Sequence, residues 1–130
     1  MREPIWIQKK EVLTAHDRQM AEHGGSVGIR DESLLESALA KPKNVFAYSD
    51  EVSFSRLAAS YAFGIARNHP FVDGNKRAAL IAAEGFLRYN GFRVIAEKEE
   101  KYMAYLKLAE GSLSEEEFTL WIEQHLEKMG

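Results

Sequence analysis

The chain of 130 residues has no cysteine, which excludes disulfide bonds and metal sites built on thiolates and suits a reducing compartment. It also lacks long apolar runs. The N-terminal residues 1–11 do not look like a signal peptide, and the uncharged apolar stretch Ala78–Ala83 is far too short to cross a bilayer. We therefore expect a cytoplasmic protein that does not enter the membrane.

An excess of positive charge is absent as well. The 17 basic and 20 acidic residues are mixed along the chain and give a net charge of −3. Proteins that grip nucleic acid usually carry a basic excess or a concentrated basic face, so we expect no direct contact with DNA or RNA. There is no internal repeat, low-complexity segment or linker, and 45% of the residues are apolar. The sequence thus predicts one globular domain over residues 1–130.

Apolar periodicity and capping residues predict an all-α fold, a compact bundle of about six helices with at most a short β-hairpin. Pro42 is expected to end the second helix near Ala40, which leaves residues 41–50 irregular and able to form a short hairpin or flap. Gly64, inside the third helix, indicates a close helix contact. Glu84 in the apolar fourth helix needs solvent or a partner. The predicted helices cover about residues 10–23, 31–40, 54–68, 75–90, 98–110 and 114–128.

The segment His69–Arg77, which reads HPFVDGNKR, combines residue types that packing does not require. Here a loop containing Gly74 leads into the N-terminus of a predicted helix, where unpaired N–H groups and the helix dipole favour an anion. Lys76 and Arg77 lie in the first turn of that helix, where cations are unfavourable for the helix itself. Their presence indicates that bound negative charge compensates them.

Asp73 and His69 complete a set suited to phosphate chemistry. Asp73 is placed to hold a Mg²⁺ that bridges phosphate oxygens, and a neutral imidazole at His69 can accept a proton from an attacking hydroxyl. Each element taken singly is also a common turn residue or a solvated charge. Together they favour a site that binds a nucleoside triphosphate and transfers part of it. His16 and His23 share a predicted helix face but have no third ligand, so we expect no metal site there.

HPFVDGNKR resembles the signature of the Fic/Doc superfamily, and specifically of its death-on-curing (Doc) toxin branch. The likeness extends to residues 28–44 (GIRDESLLESALAKPKN) and 85–92 (GFLRYNGF). The resemblance implies an α-helical Fic/Doc fold with the nucleotide bound at the loop. The implied roles are general base for His69, Mg²⁺ ligand for Asp73, anion cradle for Gly74 and Asn75, and phosphate binding for Lys76 and Arg77.

Two positions separate this sequence from the adenylylating members of the superfamily. Those members carry glycine where this chain has Lys76, and they tend to have a second arginine where it has Leu80. Both differences are typical of the Doc branch, in which the γ-phosphate is presented to the base. The chain also has no Ser/Thr-x-x-x-Glu-Gly/Asn segment, with which many Fic proteins inhibit themselves, so an inhibitor is expected from outside.

The resemblance therefore implies a toxin of a toxin–antitoxin pair that transfers the γ-phosphate of ATP, or of another nucleoside triphosphate, to a hydroxyl of elongation factor Tu and arrests protein synthesis. Its expected partners are that factor and a cognate antitoxin whose disordered segment folds as a helix against the toxin. Residues 41–50 are the candidate flap that aligns the target. AMP transfer to a protein hydroxyl and a non-catalytic helical binding module are the alternatives.

Overall fold

A computed structural model describes residues 1–130 and contains six helices and one antiparallel sheet of two short strands. The predicted all-α architecture is thereby confirmed. None of the helices has the length and apolar character needed to cross a membrane. In chain order the elements are α1 Lys9–His23, α2 Glu32–Tyr48, α3 Phe54–Asn68, α4 Asn75–Tyr89, β1 Phe92–Val94, α5 Lys98–Glu110, α6 Glu115–His125 and β2 Leu126–Lys128.

Helices α3 and α4 form the centre of the core, since they contain more buried residues than any other element, ten of fifteen in α3 and seven of fifteen in α4. Gly64 lets α3 approach α2 closely, because a Cβ at this position would lie only 3.1 Å from the Ala38 Cα. The close helix contact predicted from this glycine is therefore present. The loop between α3 and α4 carries the motif His69–Arg77, and its two ends are thus fixed by the most buried helices of the fold.

Several helices begin at the capping residues that the sequence indicates. The side chains of Asp31 and Ser53 accept hydrogen bonds from the first turns of α2 and α3. Ser114 and Glu117 form a complete capping box at α6, in which each side chain accepts the backbone N–H of the other residue. The hydrogen bond from the Ser114 N–H holds the pKa of Glu117 below its ordinary value.

The prediction that Pro42 ends α2 is wrong, because this helix continues through the proline to Tyr48. A proline inside a helix removes one backbone hydrogen bond and costs about 3 kcal/mol. Burial offsets this cost, since Pro42 is itself buried and Val45 and Phe46 beyond it pack against the core. Residues 41–48 are therefore helical, and the expected hairpin or flap at 41–50 does not form.

The last predicted helix is too long by three residues. Helix α6 ends at His125, and Leu126–Lys128 forms β2, which pairs with β1 in the register Val94 to Leu126 and Phe92 to Lys128. The two strands lie far apart in sequence, so the sheet is small, as expected, but is not a hairpin. The pairing satisfies backbone groups of a segment that sequence periodicity alone assigned to the helix.

Candidate active site

The start of α4 has no side-chain cap. Gly74 is the N-cap residue, with a left-handed φ of 73°, and no side chain accepts from the first turn. The first backbone N–H groups of α4 are therefore left for a ligand. A Cβ at Gly74 would lie 2.6 Å from the Met20 Cε and 3.1 Å from the His16 Nε2, so a larger residue would require both side chains to move, in addition to the strain of the left-handed φ.

A cleft of about 440 Å³ opens beside this helix start, between α4 and α5. A larger and more open groove of about 880 Å³ lies elsewhere, next to α2 and α6, but it contains none of the motif residues, so we assign the site from the chemistry of the smaller cleft. The chain as a whole carries a net charge of −3. Four cations and one carboxylate nevertheless line the cleft, namely Lys76, Arg77, Lys98, Lys101 and Asp73.

Asn75 uses its side chain to hold the loop together. Its Nδ2 donates to the carbonyl oxygen of Phe71 at 3.0 Å, and its Oδ1 accepts from the Phe71 N–H at 2.9 Å. Phe71 itself is 1% exposed and anchors the loop in the core. Because its side chain is engaged in this way, Asn75 can offer an anion only its backbone N–H.

The carboxylate of Asp73 is exposed and partly engaged by the backbone. Its Oδ1 accepts from the Gly74 N–H at 2.8 Å, and its Oδ2 accepts from the Ser26 N–H at 3.1 Å. Two carboxylate oxygens offer about four lone-pair positions, which leaves room for a metal ion. No group of three His, Cys, Asp or Glu residues could hold a metal by itself. The site thus fits a Mg²⁺ bound by one carboxylate, phosphate oxygens and water, an arrangement usual for this ion.

His69 ends α3 and starts the loop in a left-handed conformation, with φ 49° and ψ 55°, and is the only non-glycine residue with a positive φ. Arg30 supports this conformation from the neighbouring segment. Its Nε donates to the carbonyl oxygen of His69 at 2.7 Å, and its Nη2 donates to that of Asn68 at 2.9 Å. The side chain of His69 is exposed and does not line the cleft, which among the motif residues is lined by 73–77.

His16 is a site residue that the sequence analysis missed. It is fully buried in α1, stacks on the Phe71 ring with a centroid distance of 4.1 Å, and its Nε2 lies 2.8 Å from the Asp73 carbonyl oxygen. A carbonyl oxygen only accepts, so Nε2 carries the proton and donates it. His16 thus positions the loop through the backbone. A single histidine on a helix face provides no sequence signal for such a contact.

The segment beside the loop is 28–31 rather than the predicted flap 41–50. The Val72 N–H donates to the Gly28 carbonyl oxygen at 3.1 Å, and the N–H groups of Arg30 and Asp31 donate to the Pro70 carbonyl oxygen at 2.7 and 3.0 Å. Ile29 forms an isolated antiparallel bridge with Phe71. The first half of the loop is therefore hydrogen-bonded to residues 28–31, and its second half is held at Asp73 by His16 and Ser26.

Comparison with known proteins identifies the family of the chain. The model of the Fic/DOC family matches residues 6–87. The chain is 33% identical over 93 residues to Protein kinase doc of Escherichia phage P1, an alignment that covers 72% of this chain and 74% of that protein. It is 38% identical over 95 residues to Toxin Doc of Mycolicibacterium smegmatis, covering 71% and 69%. With this motif, this helical fold and these relatives, the chain belongs to the Fic/DOC family.

Proposed function

We propose that this chain is the toxin of a toxin–antitoxin pair and transfers the γ-phosphate of ATP, or of another nucleoside triphosphate, to a protein hydroxyl, with elongation factor Tu as the expected target. The observation that carries the proposal is the uncapped start of α4 beside a cleft lined by four cations. Family membership supports it, as do the names of two relatives, one a toxin and one a protein kinase. Inhibition by a cognate antitoxin follows from the same assignment.

The cleft suits the phosphates of a nucleotide. Phosphate oxygens would accept from the backbone N–H groups of the first turn of α4, where the helix dipole favours negative charge. Lys76 and Arg77 lie in that turn and would neutralise the phosphates. Asp73 would hold Mg²⁺, which when bound neutralises charge on the phosphate oxygens. A nucleoside triphosphate is the ligand class that uses all of these groups together.

His69 would act on the hydroxyl that attacks. Its imidazole accepts the hydroxyl proton while the oxygen forms a bond to the γ-phosphorus, the bond between the γ-phosphorus and the bridging oxygen breaks, and the nucleoside diphosphate leaves. Leu80 lines the cleft without supplying charge. This position and the lysine at 76 support phosphate transfer over AMP transfer, as the sequence comparison with adenylylating members implied.

The decisive experiment is label transfer with the antitoxin absent. The protein is incubated with Mg²⁺, elongation factor Tu and ATP labelled at either the γ- or the α-phosphate. Label from the γ-position alone is the expected result. Label transferred from the α-position would show that the protein transfers AMP rather than phosphate. ATP binding without any labelled protein, and without toxicity in cells, would instead favour a non-catalytic binding module.

The variant His69→Asn separates binding from chemistry. Asparagine tolerates the left-handed conformation of position 69 but cannot accept a proton near neutral pH. We expect label transfer to fall by about a hundredfold or more, whereas the Kd for ATP stays unchanged because His69 does not line the cleft. Transfer at the wild-type rate would remove His69 as the proton acceptor.

A further inference from the structure

Helix α5 faces the start of α4 across the cleft with cations of its own. Lys98 begins α5 and Lys101 follows about one turn later, and both line the cleft together with Tyr102 and Tyr105. The N-cap residue of α5, Glu97, makes no side-chain cap. Glu99 and Glu100 in the first turn of α5 balance the unfavourable effect of these cations on the helix dipole. Of the charged residues of α5, however, only Lys98 and Lys101 line the cleft, beside the uncapped start of α4.

A buried carboxylate holds Lys101 in place. The Lys101 Nζ donates to the Glu84 Oε1 at 3.1 Å, while the buried Glu84 Oε2 has no hydrogen-bond partner in the protein. Glu84 is 8% exposed. A buried carboxylate is costly unless it is paired, so the ion pair fixes the ammonium group at one position in the cleft. The sequence analysis expected a partner for Glu84, and this partner is Lys101.

Tyr105 belongs to the same wall. It lines the cleft and is 2% exposed. Burial raises the pKa of Tyr105 well above its ordinary value, and the nearby Glu84 adds to this effect. The hydroxyl therefore keeps its proton and adds no negative charge to the cleft.

We propose that α5 forms a second phosphate-binding wall, in which Lys98 and Lys101 contact the polyphosphate chain of the nucleotide opposite Lys76 and Arg77. This inference rests on the proposed function, which supplies the nucleotide. The cleft of about 440 Å³ lies within the range of about 300–1,000 Å³ typical of small-molecule sites. A triphosphate carries enough negative charge to engage cations on both walls, whereas a monophosphate does not.

Calorimetric binding of ATP and of AMP, each with Mg²⁺, tests the second wall. Lys98→Met removes a charge that forms no ion pair in the protein. For Lys101 the double variant Glu84→Gln/Lys101→Met is used, because the single change would leave Glu84 buried and unpaired. Lys107→Met removes the same charge from the same helix away from the cleft and serves as the control.

The Kd for ATP is expected to rise roughly fivefold to tenfold in the Lys98 variant and in the double variant. The Kd for AMP should change little, and the Lys107 control should bind as the wild type does. Denaturation curves verify that each variant is folded. Unchanged ATP binding by the Lys98 variant and by the double variant would overturn the second wall and leave the proposed function standing. An equal loss of affinity for ATP and for AMP would have the same meaning. A wild-type protein that binds no ATP would instead overturn the proposed function, and the second wall with it.

Discussion

Replacing Arg30 by methionine tests how the loop holds its histidine. The variant keeps the aliphatic stem but loses the guanidinium that donates to the carbonyl oxygens of His69 and Asn68 at 2.7 and 2.9 Å. Hydrogen bonds from charged donors contribute about 1.5–3 kcal/mol each in favourable settings. Arg30 is exposed, so solvent screening reduces this value, and we expect the two bonds together to contribute roughly 1–2 kcal/mol.

This contribution is similar to the cost of about 1–2 kcal/mol for a left-handed residue that is not glycine. Without Arg30 the backbone of His69 loses the contact that offsets its strain, and the imidazole is no longer held in one direction. A misplacement of about 1 Å can cost about a hundredfold in rate. We therefore expect the rate of label transfer to fall at least about tenfold. Neither Arg30 nor His69 lines the cleft, so the Kd for ATP should stay the same.

Single-turnover label transfer measures the effect of Arg30→Met on the transfer rate, and denaturant unfolding measures its effect on stability. Arg30→Lys should restore part of the rate, because one ammonium group lacks the fixed fork of donors with which a guanidinium reaches two carbonyls. Arg18→Met is the control for the loss of charge, because it removes an exposed arginine that lies in α1, away from the loop. Wild-type transfer by the Arg30→Met protein at wild-type stability would refute the reasoning.

Two further changes test the packing around the site. Gly74→Ala and Gly91→Ala both place alanine at a left-handed φ, of 73° and 87°, but only the first brings a Cβ to 2.6 Å from the Met20 Cε. In urea unfolding we expect the free energy of unfolding to fall by about 2–4 kcal/mol for Gly74→Ala and by about 1 kcal/mol for Gly91→Ala. Equal losses of stability would contradict the close contact with α1. Burial raises the pKa of Glu84 above its ordinary value of 4.5, although the hydrogen bond from Lys101 lowers it. The folded state then binds the proton more tightly than the unfolded state, so the contribution of Glu84 to stability falls as pH rises from about 4.5 through the raised pKa. Glu84→Gln should flatten the dependence of the free energy of unfolding on pH in this range. Identical slopes for the variant and the wild type would contradict the raised pKa of Glu84.

Local signals in the sequence are sufficient for much of the fold. Helix α3 runs from Phe54 to Asn68, as predicted, because Ser53 caps its start and the His69-Pro70 pair ends it. The chemistry of the loop is equally local, since Gly74, Asp73 and the cations follow one another in the chain. An uncapped helix start next to these residues could thus be predicted without tertiary information.

The wrong predictions concern residues whose structure depends on tertiary packing. Pro42 stays inside α2 because the residues beyond it gain burial, and Leu126 leaves the helix because β1 offers its segment a pairing partner. Neither gain is visible in the residues themselves. The group of four cations around the cleft could not be predicted for the same reason. The two lysines of α5 lie more than twenty residues after Lys76 in the sequence and line the same cleft only in the folded chain.

His16 and Arg30 hold the loop from other parts of the chain by binding its backbone atoms, and this explains why the motif alone does not reveal them. His16 donates to the Asp73 carbonyl oxygen across 57 positions of sequence, and Arg30 donates to that of His69 across 39. A contact to a carbonyl depends on where the chain passes rather than on which side chain stands there. The proposed reactive groups are therefore encoded in nine consecutive residues, whereas the contacts that hold their loop are encoded in α1 and in residues 28–31. A search for variants that impair transfer without altering the motif should accordingly begin at His16 and Arg30.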